Sequence, residues 1–178
     1  MRAVVVYESM FGNTRAVAER IAAGLRTAAE AEAIPVIRAD AAALAGADLV
    51  VVGGPTHVHG MTRASTRQAA AEQAAAPDAE VHLDADAAGP GLREWFAGGP
   101  LPAGAAAAAF DTRVNMSPLL TGRAARGIAH RLRDAGATLA AAPESFLVDR
   151  HNRLEDGEAE RAEGWGRSLA AALSAGRT

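Results

Sequence analysis

The segment VVVYESMFGNT, residues 4–14, constrains the fold more than any other part of the chain. Val4, Val5, Val6 and Tyr7 make a short, uninterrupted apolar run, the pattern of a strand buried on both faces of a parallel sheet. A polar turn follows at once, and then RAVAERIAAGLRTAAEAE, in which Val17, Ile21 and Leu25 recur every four residues as on one face of a helix. A strand, a tight turn and a helix start together make an anion site. The first amides of a helix have no internal partner, and the helix dipole favours negative charge beside them. The turn therefore points to a phosphate.

The kind of phosphate follows by elimination. A Walker A loop needs a lysine before its Ser/Thr, and this chain has no lysine: its 18 basic residues are all arginine. The dinucleotide fingerprint G-x-G-x-x-G is absent as well. What remains is Ser9, Asn13 and Thr14 grouped around Gly12, a cradle of neutral donors suited to a terminal phosphate monoester. A strand ending in Tyr, then Ser-x-x-Gly-x-Thr, with Ala18 and Ile21 at helical offsets, resembles the phosphate loop of the flavodoxin family. That resemblance implies FMN, its phosphate held without a cation by the loop Ser9, Met10, Phe11, Gly12, Asn13 and Thr14. Phe11 stands where flavodoxins usually carry a second hydroxyl. Ser-Met-aromatic-Gly is similar to the loop of flavodoxin-like NAD(P)H:quinone oxidoreductases. Phe11 either covers the ribityl chain or packs locally.

Length and composition narrow the class. A chain of 178 residues is expected to form a single domain, 1–178, with a substantial core. A net charge of −3 gives no basic surface for nucleic acid. With no cysteine there are no disulfides, thiolate nucleophiles or Cys-based metal sites. No apolar stretch reaches membrane-spanning length and no targeting segment is evident, so a cytoplasmic protein is expected.

Apolar runs and helical patterns alternate along the whole chain, which predicts an α/β sheet covered by helices on both faces. Strands are expected at about 2–7, 34–38, 48–53, 103–110 and 138–148, the last broken at Pro143. Helices are expected at about 14–31, 64–75, 91–96, 121–135 and 154–173, with a Pro/Gly/Asp-rich loop at 77–91. The flavodoxin-like order 2-1-3-4-5, a three-layer α/β/α sandwich, fits this rhythm, with ligand chemistry at the ends of strands 1 and 3.

Two further loops carry candidate residues. After the third strand come Pro55, Thr56, His57, Val58, His59 and Gly60. By the resemblance, this loop lies beside the isoalloxazine ring, where either histidine could bond a flavin carbonyl, face a bound quinone, or be solvated. His-x-His lacks a third ligand nearby, so no metal site is expected. After the fourth strand, Asp111, Thr112 and Arg113 fall where flavodoxins surround the polar edge of the ring. There Asp111 would disfavour an anionic reduced flavin and Arg113 would favour it. Alternatively, the two close a turn as an ion pair. Trp95 is expected in the core, Asp84 and Asp86 in solvent, and Arg63 and Arg67 on an exposed helix face.

Three functions remain open at this stage. The first is an FMN-binding electron carrier between protein partners. The second is an NAD(P)H-dependent FMN enzyme reducing quinones, favoured by Phe11, by the absence of Tyr and Trp from the loop after the fourth strand, where flavodoxins often stack an aromatic on the ring, and by an acidity weaker than carrier flavodoxins usually show. The third is a binding module that has the fold without the flavin.

Overall fold

Consecutive valines in the first strand face opposite cores, and this alternation sets the layering of the molecule. The computed structural model describes residues 1–57, 60–79, 81–99 and 101–175. Strand β1 (Arg2–Tyr7) lies between β2 (Glu30–Pro35) and β3 (Leu49–His57), parallel to both. Val4 and Val6 join Val50 and Val52 in one core; Val5 and Tyr7 join Leu49 and Val51 in the other. A two-residue strand, β4 (Gly60–Met61), folds back antiparallel onto the end of β3. Strand β5 (Ala106–Val114) pairs with β3 from Leu49↔Ala106 to Pro55↔Thr112. The outermost position is filled by two pieces, β6 (Thr138–Leu139) and β7 (Glu144–Val148), each parallel to β5. Taken as five sheet positions, the order is 2-1-3-4-5. The interruption falls at Pro143, which has no amide to give to a ladder.

Helices cover both faces. On one side lie α1 (Asn13–Leu25) and α7 (Glu158–Ala175), which bury Val17, Ile21, Leu25, Ala162 and Leu169. On the other lie α2 (Ala41–Leu44), α4 (Leu92–Gly98) and α6 (Ala124–Asp134), which contribute Leu44, Leu92, Trp95, Ile128 and Leu132. Helix α3 (Ala64–Ala74) buries only Ala70, against Met10 and Ala87, and α5 (Pro118–Thr121) is a single turn after β5. Among the described residues no helix is long and apolar enough to cross a membrane.

Several boundaries differ from the sequence expectation, each for a local reason. Helix α1 stops at Leu25 instead of running to 31, because Glu30–Pro35 takes its hydrogen bonds from β1. Alanine's helix propensity, a few tenths of a kcal/mol per residue over its neighbours, is small against a full ladder. The expected strand at 34–38 is half a 3-10 turn, Val36–Arg38, that begins after Pro35. Strands β3 and β5 run past Gly53 and Phe110, so residues read as loop are the paired ends of two strands. The final helix starts at Glu158 rather than near 154, since Leu154 bridges back to Val148.

Helices α1 and α7 touch backbone to backbone. A Cβ on Gly24 would lie 2.1 Å from the Glu163 carbonyl oxygen, and one on Gly166 would lie 2.3 Å from that of Ile21. Glycine inside a helix costs about 1 kcal/mol relative to alanine, so the close approach is what makes glycine tolerable here. Gly24→Ala and Gly166→Ala are each expected to destabilise the protein by about 1–3 kcal/mol, the usual cost of overpacking. Urea denaturation reads this directly. Gly98→Ala, at the end of α4 where a Cβ meets nothing within 4 Å, serves as the control and is expected to be neutral or to stabilise by up to about 1 kcal/mol. Equal stability in all three would show that the helices separate freely.

Candidate functional site

The C-terminal ends of the parallel strands all reach one edge of the sheet, and the strand order reverses there between β1 and β3. Crevices of this kind are where open α/β sheets bind ligands. The cleft found there has a volume of about 180 Å³. It is lined by Met10, Phe11, Asn13 and Thr14 from the first turn, by Pro55, Thr56 and His57 from β3, and by Thr112, Arg113 and Val114 from β5. Val148 and Asn152 close the remaining side.

The first turn is built to leave amides open. Gly12 sits at φ +89°, a left-handed conformation that glycine adopts without strain, and precedes α1 without any side-chain cap. Ser9 Oγ accepts from the Gly12 amide (3.2 Å) and the Arg15 amide (3.4 Å), which curls the turn inward. Among the described residues, the amides of Asn13 and Thr14 have no hydrogen-bond partner. The buried Thr14 hydroxyl pairs with that of Thr112 at 2.7 Å, tying the helix start to β5. Asn13 Nδ2 donates to the Asn152 backbone oxygen (2.8 Å) and to its side-chain Oδ1 (3.3 Å). Below the turn, Asp84 donates its amide to the Met10 carbonyl (2.7 Å) and pairs with Arg15 at 3.0 Å. Asp84 is thus a buried brace and not the solvated residue its polar surroundings imply.

Thr56 and Asp111 do something else. The Thr56 hydroxyl accepts from the Ala124 amide (2.9 Å) and donates to Asp111 Oδ2 (3.0 Å), which also accepts from the Ala125 amide (2.8 Å). Two strands together therefore supply the cap that Arg123, at the N-cap of α6, does not. Asp111 is fully buried and does not line the cleft, which corrects its expected place at a ligand edge. Burial pushes its carboxyl above the ordinary aspartate range, outweighing the hydrogen bonds that favour its charge.

The other expected residues divide. His57 lines the cleft, and burial lowers the pKa of its imidazole, so it is neutral at neutral pH. Arg113 lines it too. Its Nη1 donates to the Met116 and Val114 carbonyls at 2.8 and 3.2 Å, not to Asp111, while its Nε is buried without a partner. Ser9 and Gly12 shape the turn from beneath, and Gly60 pairs with His57 in the β3–β4 hairpin. Val58 and His59 lie outside the described residues. Arg67, expected on an exposed face, pairs with Glu94 at 3.0 Å and lies 4.0 Å from buried Glu8, which itself accepts from the Thr62 hydroxyl and the Leu92 amide. Trp95 is core, its indole N–H donating to the Ala39 carbonyl.

Sequence reasoning missed Asn152. It holds φ +58°, in a turn where Asp149 Oδ1 accepts from the amides of His151 (2.9 Å) and Arg153 (2.8 Å). Aspartate followed by asparagine three residues later is a turn signal, since both side chains bond nearby backbone and asparagine tolerates the left-handed region. Nothing in that signal says that the turn folds back over the first loop.

A second hollow, about 410 Å³, lies beside Trp95, Ile37 and Pro90. Its polar groups are already committed: Asp40 caps α2 through the Ala43 amide, and Glu94 accepts from Gly91 and Arg67. Of these two hollows, the strand-end cleft is the one with donors left over.

Comparison with known proteins identifies the fold. Residues 4–76 match the family model of a flavodoxin domain. A flavodoxin from the domain Archaea superposes with a TM-score of 0.66 at 22% identity, covering 98% of this chain and 99% of that one. Oxidised flavodoxin 1 from Bacillus cereus gives 0.66 at 20% identity, covering 96% and 98%. The Flv1 flavodiiron core from Synechocystis gives 0.65 at 19% identity, covering 99% of this chain but 36% of that one. A search of curated proteins returns no significant match. The fold over nearly the whole chain is that of the flavodoxins, and the family-model match covers residues 4–76.

The buried Asp111 gives a pH test of the α6 cap. With its folded pKa raised, the native state keeps a proton that the unfolded state has released, so stability falls as pH rises above about 4, the ordinary aspartate value. Below that pH both states are protonated and the contribution is fully present. Asp111→Asn stays neutral throughout. The variant is expected to gain on wild type progressively as pH rises from about 4, as read by denaturation midpoints. A pH-independent difference would show that Asp111 is not held protonated by burial.

Proposed function

We propose that this flavodoxin-fold chain binds flavin mononucleotide at the β1–α1 turn and serves electron transfer with a redox partner protein. The observation that carries the proposal is the surplus of donors in the cleft. The amides of Asn13 and Thr14 are unpartnered, and the buried Arg113 Nε and Asn152 Nδ2 have no acceptor. A site rich in donors and poor in acceptors suits a phosphate monoester and a polar ring edge. The donor set therefore fits the cofactor, which when bound supplies the redox chemistry.

Each residue then has a physical role. Of the Thr14–Thr112 pair, one hydroxyl spends its proton on the other, which leaves one proton free for a phosphate oxygen. Neutral His57 offers a hydrogen bond at the cleft wall without adding charge. Arg113 adds the cationic charge that favours electron density on a bound ring. Phe11 packs on Met10, Ala70 and Ala87 while also lining the cleft, so it closes one side to water.

A second reading, an NAD(P)H-dependent quinone reductase, is supported by Phe11 and by the lack of any Tyr or Trp among the described lining residues. Purified protein is expected to be yellow, or to take up added FMN. Thr14→Ala removes a hydrogen bond to a charged group and is expected to weaken FMN binding about 10- to 100-fold, measured by flavin fluorescence quenching. Protein that takes up no FMN would refute the proposal. A mixture of NADPH and a quinone is expected to show no turnover; steady NADPH oxidation would replace the carrier with the enzyme.

A further inference from the structure

Asn152 reaches the cleft from a fourth direction, outside the turns that follow β1, β3 and β5. Its side-chain oxygen and its backbone carbonyl both accept from Asn13 Nδ2, so the orientation of its amide is set by that contact. The remaining group, Nδ2, is buried, has no partner and belongs to a residue that lines the cleft. The backbone holds it there at some cost: φ is +58°, the single positive φ outside glycine among the described residues. Asp149 fixes the turn through two backbone amides, and the bridge Val148↔Leu154 closes its base. The result is a side-chain amide pinned against Asn13, the first residue of α1, at the wall of the cleft.

We infer that Asn152 is a specificity-determining residue of the cleft. Its Nδ2 donates to the phosphate monoester at the start of α1, and so selects the phosphorylated flavin over the unphosphorylated one. This inference rests on the FMN reading above. A neutral amide suits the task because the loop has no lysine to neutralise the phosphate, and Arg15 is already paired with Asp84. A donor that is oriented beforehand loses little freedom when the ligand arrives.

The test compares FMN with riboflavin on the full chain, by fluorescence quenching. Asn152→Gly keeps the left-handed backbone accessible and removes the donor together with the Oδ1 that accepts from Asn13, while the backbone carbonyl still accepts from Asn13 Nδ2. It is expected to weaken FMN about 10-fold, the size of one hydrogen bond to a charged group, and to leave riboflavin within about twofold. Asn152→Asp keeps the shape and also tolerates positive φ, but it turns an acceptor and a negative charge toward the phosphate. It is expected to weaken FMN more than Asn152→Gly does. On wild-type protein labelled with nitrogen-15, the Asn152 side-chain amide resonance is expected to move on adding FMN and to stay in place on adding riboflavin. That readout holds even if a variant fails to fold. Unchanged FMN affinity in both variants, equal losses for the two flavins, or an amide that ignores FMN would each overturn the inference. Wild-type protein that takes up neither flavin would instead overturn the FMN reading itself, and this inference with it.

Discussion

Two helices begin at the same edge of the sheet, and the difference between their first turns organises the site. Helix α6 starts fully satisfied: Thr56 from β3 and Asp111 from β5 accept from its first two amides. Helix α1 starts with no side chain on its first two amides; Ser9 Oγ reaches only the third, that of Arg15, at 3.4 Å. An omitted cap costs roughly 1 kcal/mol, so an open terminus persists only where the rest of the fold holds the helix in place. Here it is held from three sides. Gly24 and Gly166 let α1 lie directly on the α7 backbone, Thr14 is tied to Thr112, and Asn13 is tied to Asn152. The open amides are thus positioned by long-range contacts instead of by local capping.

That arrangement also separates two kinds of polar residue that look alike in sequence. Asp111, Thr112 and Arg113 are consecutive, yet they serve three ends. Asp111 caps a helix out of reach of the cleft, Thr112 fixes the helix start at its wall, and Arg113 lines the cleft with an unsatisfied Nε. With the one carboxylate of β5's end buried under α6, the surface facing a ligand carries donors and positive charge. A negatively charged group is what such a wall can accept without leaving buried donors unpaired.

The fold was legible because its signals were long and redundant: the valine runs at 4–6 and 50–52, and the helical spacing of Val17, Ile21 and Leu25. The phosphate turn was legible because its glycine and hydroxyls lie close together in the chain. Strand ends were misread because Gly53-Gly54-Pro55 carries turn chemistry. Their pairing is decided by the partner strand β5, and that partner lies beyond position 105. Gly53 is a packing residue, since a Cβ there would meet the Phe110 ring at 2.1 Å. Asn152 and Asp84 were missed for one reason: each acts on the first turn across a long stretch of chain, and local composition marks both only as polar loop.

The central claim is that open amides and neutral hydroxyls at the start of α1 hold a phosphate monoester. Phosphorus-31 NMR of the protein mixed with FMN tests it most directly. A phosphate gathered into this cradle is predicted to stay dianionic, its resonance constant through about pH 6, where a free monoester takes up its second proton. A resonance that titrates as free FMN does would contradict the account.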